Sequence, residues 1–191
     1  VGPDGPAMIG GGLGNFAPGE WTDDTAMTWP VLAAAAKGAD LASPEALDDI
    51  AGGFLEWYRS GPSDIGTQTR QVLSSLRHTS LPEELALQAS RRESLRDGAG
   101  APPQGPDEPL ATRMTQAAAA LHARTGRTGG NGSLMRTSPV ALAHLDNPQR
   151  LTAAAEAVSA LTHTDERAGQ ACALWSHAIR HAAVSYTHLR A

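Results

Sequence analysis

The chain has 191 residues, 41% apolar and 18% charged, with a formal net charge of −5. That is enough apolar material for one packed domain and excludes an intrinsically disordered chain. The acidic balance argues against nucleic-acid or anionic-membrane partners, no run of about 18 apolar residues is present to span a bilayer, and the single cysteine, Cys172, allows no internal disulfide,. A reducing, cytoplasmic setting is the expectation.

The N-terminal stretch "VGPDGPAMIGGGLG" has neither a basic segment nor an apolar one, so no signal peptide is expected; its lack of an initial Met suggests a fragment,. β-branched and aromatic residues are scarce and no segment alternates with period two, whereas alanine-rich runs with helical spacing recur,. The expected fold class is all-α, a compact bundle of six to eight helices.

"GEWTDDTAMT", Gly19–Thr28, opens the first helical pattern. Thr22 can cap a helix whose first turn carries Asp23 and Asp24, where the helix dipole favours negative charge. A cap needs only one oxygen, and here four oxygen-bearing side chains stand in a row. Adjacent carboxylates repel unless a cation lies between them, and oxygen donors without Cys or His suit magnesium, manganese or calcium. Pro30 should kink or break this helix,.

"SPEALDDIAGGFLEWYRSG" has Ser43 as N-cap, Pro44 in the first turn, and Leu47, Ile50, Phe54, Leu55 and Tyr58 on one stripe,. In "GPSDIGTQTR", Asp64 sits in an interhelical turn, either as a turn residue bonding its own backbone or as a site carboxylate,. Thr67 is the expected cap of "TQTRQVLSSLRH". "LPEELALQASRRESLRDG" reads as a further helix, and Gly98–Pro106 as a Pro/Gly loop within one domain,. The helix resumes at "DEPLATRM".

"TGGNGSLMRTSP", Thr128–Pro139, is a glycine-rich loop before an expected helix "LMR" capped by Ser133. Such a loop is either ordinary or a set of backbone N–H groups offered to an anion, with Arg136 able to add a charged contact. It is not a P-loop, because the Gly-Lys-Ser/Thr ending is missing. Asn147 and Pro148 start the next helix. His163, in "LTHTDERA", sits at a helix junction as a capping, core or ligand-facing residue, with Thr164 the expected cap of the last helix. His177 and His181 stand four apart, but Ala178 replaces the glutamate of a zinc-protease motif, and the pair reads as a solvated face,.

Taken in order, "GEWTDDTAM", "PSDIGTQT", "GNGSLMRTSPVAL" and "LTHTDERA" resemble the ADP-ribosylglycohydrolases, including the dinitrogenase reductase-activating type, over Met8 to about Ala183. The resemblance implies an all-α fold and a hydrolase that removes ADP-ribose from a modified protein residue or small acceptor. It also implies two divalent ions, Mg2+ or Mn2+. Thr22, Asp23 and Asp24 match metal ligands, Asp64 an acidic catalytic residue, and Asn131, Gly132, Ser133, Met135 and His163 residues lining the ADP-ribose site. The family's opening helix is expected to be missing or cut short here, and its late Asp-x-Asp-Thr segment to be absent. Residues 1–183 are therefore expected to form a partial domain, incomplete at both ends and weakly active at most; a non-catalytic ADP-ribose-binding module or an inactive fragment is the alternative. The ending "VSYTHLRA", residues 184–191, resembles translated adapter sequence and is expected to be a non-native tail,.

Overall fold

The computed structural model describes residues 8–12, 14–76 and 108–186. The helix expected from "LPEELALQASRRESLRDG" and the Gly98–Pro106 loop lie outside the described residues. Among those described, seven α-helices and one 3-10 turn carry the fold, and no strand forms beyond an isolated bridge between Gly11 and Phe16. The helices are α1 (Asp23–Ala36), α2 (Pro44–Arg59), α3 (Thr67–Ser75), α4 (Leu110–Thr125), α5 (Ser138–Ala143), α6 (Pro148–Ala160) and α7 (Glu166–Tyr186), with the 3-10 turn at Leu134–Arg136. The all-α expectation holds.

α2 forms as its sequence dictates. The Ser43 hydroxyl accepts from the Ala46 amide at 3.2 Å, and Pro44 occupies the first turn, where its missing N–H costs nothing,. Its buried stripe is Ala46, Ile50, Ala51, Phe54 and Leu55. α6 starts the same way, Asn147 Oδ1 accepting from the Arg150 amide at 3.0 Å. α4 begins after Pro109, which has no capping side chain; Asp48 of α2 reaches across and accepts from the Ala111 amide at 2.7 Å.

The core joins Met27 and Val31 of α1, Ile50 and Phe54 of α2, Val72 and Leu73 of α3, Met114 of α4, and Leu151 and Val158 of α6. α7 lies against α6 and α5, and α1 against α2 and α5.

Three local expectations are corrected. α1 continues through Pro30 to Ala36 without a break, and the ring seats against Gly53 of α2, which has no side chain to obstruct it. The N-cap of α3 is Gly66, and Thr67 is already helical. The last helix is capped by Asp165, whose carboxylate accepts from the Arg167 amide at 2.9 Å, while the Thr164 hydroxyl is buried without a partner among the described residues. α7 runs on through Val184 and Ser185 to Tyr186, three residues into the segment set apart above; residues 187–191 lie outside the described residues.

A Cβ on Gly53 would stand 2.6 Å from both Cβ and Cγ of Pro30, whereas one on Gly52 would meet nothing within 4 Å. Gly53→Ala is therefore expected to cost about 1–3 kcal/mol through overpacking. Gly52→Ala is expected to stabilise by about 0.5–1 kcal/mol, as Ala replaces Gly in an open helical position. Urea denaturation of the two variants checks this opposition in sign.

Candidate functional site

The first cluster is acidic. Asp23 and Asp24 sit in the first turn of α1, and the Thr22 hydroxyl donates to Asp24 Oδ2 at 3.1 Å rather than accepting from a helix amide. Thr22 occupies the N-cap position, but its side chain does not cap. The turn bearing Asp64 packs here: Asp64 Oδ2 accepts from the Asp23 amide at 2.8 Å, across 41 residues of sequence. Asp64 thus caps α1 from outside and is not the self-bonded turn residue considered above. Its Oδ1 makes no hydrogen bond among the described residues. Partial burial, then the nearby Asp64 and Asp24 carboxylates, raise the Asp23 pKa above the ordinary aspartate value,. Beside this cluster opens a cleft of about 350 Å³ whose walls include Phe16, Glu20, Trp21, Trp57 and Asp64.

The donor chemistry suits a hard cation. Every candidate ligand is oxygen, and mutual repulsion of the carboxylates is what a divalent ion would relieve. The shell is nevertheless partial: among the described residues, no three His, Cys, Asp or Glu side chains gather as a metal-holding group. Of the three residues expected as metal ligands, only Thr22 and Asp24 are joined by a side-chain contact, the Thr22–Asp24 hydrogen bond.

The second cluster lies beyond the start of α3. The Gly129–Ser133 amides make no hydrogen bond among the described residues. The loop runs close to the α6–α7 junction. A Cβ on Gly132 would lie 3.0 Å from His163 Cε1 and 3.3 Å from Thr69 Oγ1, so glycine permits the approach,. A Cβ on Gly130 would lie 3.6 Å from His163 Nε2. Gln68 binds α3 to the α6–α7 junction, its Nε2 donating to the Thr162 carbonyl at 2.9 Å. Asn131 is exposed and its carbonyl accepts from the Met135 amide at 3.2 Å; Met135 is half-buried against the core. A hollow of about 180 Å³ flanks the loop, lined in part by Gln68, Gln71, Arg127 and Thr128.

Two expectations about this loop are corrected. Ser133 caps no α-helix: only a 3-10 turn follows, and its buried Oγ accepts from Ser159 Oγ at 2.9 Å and lies 3.4 Å from Cys172 Sγ. Ser133 therefore anchors the loop rather than facing a ligand with its hydroxyl. Arg136 is fully buried and unable to reach a surface anion. Its guanidinium lies 4.3 Å from the Phe54 ring centroid and donates to the Val158 carbonyl at 3.0 Å and Thr162 Oγ1 at 2.9 Å,. Burial lowers its pKa to about 9, which leaves it charged at neutral pH.

The His177–His181 pair makes separate contacts. His177 Nε2 lies 2.9 Å from Thr152 Oγ1 on α6, and the exposed His181 lies 3.3 Å from Ser185 Oγ. His177 is thus partly an interhelical residue rather than wholly solvated. Gln68 and Thr162 were not singled out from sequence, although both lie within the quoted "TQT" and "LTH" motifs.

A family model described as ADP-ribosylglycohydrolase matches residues 3–190, and the chain belongs to that family. The chain is also 27% identical over 176 residues to ADP-ribosyl-[dinitrogen reductase] glycohydrolase of Rhodospirillum rubrum. The match covers 91% of this chain and 45% of that protein, so the chain spans about half the length of this curated relative. No helix among the described residues is long and apolar enough to cross a membrane.

Burial, followed by the positive charge of Arg136, pushes the His163 pKa down from 6.5 to about 3. Below pH 6.5 the unfolded chain binds a proton that folded His163 refuses, so stability is lost as pH falls from 6.5 towards 3,. The loss attributable to His163 is expected to reach ~2 kcal/mol by pH 5. His144 is shifted in the same direction, chiefly by burial. His163→Gln should therefore flatten the pH dependence of urea midpoints without abolishing it.

Proposed function

We propose that the chain is a metal-dependent hydrolase that removes ADP-ribose from a modified protein residue or a small acceptor. The observation that carries this reading is the bond from the Asp23 amide to Asp64 Oδ2, which sets the "SDIG" carboxylate against the "WTDDT" oxygens. Family membership supplies the substrate class to be tested.

Thr22, Asp23 and Asp24 would hold a magnesium or manganese ion; such an ion offsets the carboxylate charge and acts as a Lewis acid towards a substrate oxygen. Cleavage of a glycosidic C1 bond builds positive charge on the ribose ring. Asp64, fixed through Oδ2, keeps Oδ1 available to stabilise that charge or accept a proton from the attacking water,. The unbonded amides of Gly130–Ser133 are suited to a diphosphate, and the exposed Asn131 side chain to a sugar or base edge,. A second reading, an ADP-ribose-binding module without turnover, draws on the partial metal shell.

Asp23→Asn and Asp24→Asn should each weaken magnesium binding in calorimetry by at least about tenfold, since each removes a charged oxygen donor. Asp64→Asn should lower magnesium-dependent release of ADP-ribose from an ADP-ribosylated arginine peptide by about 10²-fold while changing the Kd for ADP-ribose little. Binding of ADP-ribose without release, with or without magnesium, would favour the binding module. Failure of the wild-type chain to bind ADP-ribose would contradict both readings.

A further inference from the structure

We propose that Arg136 and Thr162 are positioning residues that hold His163 as a neutral imidazole with its proton on Nε2, presenting an N–H donor to a phosphate oxygen of a ligand on the Gly130–Ser133 loop. The ligand's identity rests on the ADP-ribose reading above; the state of His163 does not.

The argument follows the hydrogens. Arg136 can only donate, and its Nη2 donates to Thr162 Oγ1 at 2.9 Å,. Thr162 is fully buried, and its hydroxyl has one other partner among the described residues, His163 Nδ1 at 2.8 Å. If Nδ1 carried the proton, the Thr162 hydroxyl hydrogen would have no acceptor, and a buried unsatisfied donor is costly. The network closes when Thr162 donates to Nδ1. Neutral imidazole must then carry its hydrogen on Nε2.

The partners are fixed independently. Arg136 is clamped by the Phe54 ring and the Val158 carbonyl. Gln68 Nε2 donates to the Thr162 carbonyl. Nε2 makes no hydrogen bond among the described residues, and Cβ atoms on Gly130 and Gly132 would lie 3.6 and 3.2 Å from it, so glycine at both positions keeps the loop close to this nitrogen. The Gly129–Ser133 amides are unbonded donors as well. A bare ring nitrogen here would repel an anion's oxygen, whereas Nε2–H adds one more donor to the set. Burial and the Arg136 charge disfavour imidazolium, so the donor is neutral.

Two-bond 1H–15N correlation spectra of the 191-residue chain, labelled at histidine, read the tautomer directly. The wild type is expected to give the Nε2–H pattern for His163 at pH 7, and Thr162→Ser to retain it. Thr162→Val removes the donor to Nδ1. It should shift the Nδ1 resonance, mix the tautomers and weaken ADP-ribose binding roughly tenfold, the scale of a hydrogen bond to a charged group. An Nδ1–H or imidazolium pattern in the wild type overturns the proposal, even if the valine variant does not fold. So does a folded Thr162→Val chain with an unchanged tautomer. A tautomer response as described, in a chain that binds no ADP-ribose, would uphold the Arg136–Thr162–His163 arrangement and overturn the ADP-ribose reading instead.

Discussion

A buried guanidinium organises this molecule. Arg136 lies wholly inside the bundle, and no carboxylate pairs with it among the described residues. A charge removed from water must find compensation or it destabilises the fold. Here compensation comes from the Phe54 ring of α2, the Val158 carbonyl of α6 and the Thr162 hydroxyl at the α6–α7 junction, with Met27 Sδ of α1 at 3.9 Å. One side chain thus ties the 3-10 turn to three helices and the junction. Because Arg136 follows the glycine loop by three residues, its burial also sets where that loop emerges.

The two clusters depend on the same economy of unpaired groups. Asp64 satisfies an orphan amide at the start of α1, so the turn before α3 is pinned to the acidic pair,. Gln68, four residues later, is bonded to the Thr162 carbonyl. Asp64 and Gln68 thus join the start of α3 to the acidic pair and to the α6–α7 junction. The proposed function assigns the hydroxyls of ADP-ribose to the first cluster and its diphosphate to the second.

Much of the fold was legible in the chain. Ser43 with Pro44 and Asn147 with Pro148 are local signals, and both cap as read because a cap needs only its own first turn,. Thr67 and Thr164 failed as caps because neighbouring residues took the position, which a one-residue shift in backbone path decides,. The packing of the Pro30 ring was not legible because it involves Gly53, a residue on another helix. The same limit applies to the site. The side-by-side aspartates were visible, but their contact with Asp64 spans 41 residues. Arg136 read as able to contact an anion because charged residues are ordinarily exposed; its burial is set by Phe54, Val158 and Thr162, none adjacent in sequence,.

The central claim is that one ligand bridges the acidic cluster and the glycine loop across the start of α3. Amide chemical shifts of the 15N-labelled chain, followed while ADP-ribose is added in the presence of magnesium, test it most directly. The account predicts that Asp23 and Asp64 respond together with Gly130, Asn131 and Gly132, all with one apparent Kd. Shifts confined to one cluster, or two clusters titrating with different affinities, would contradict it.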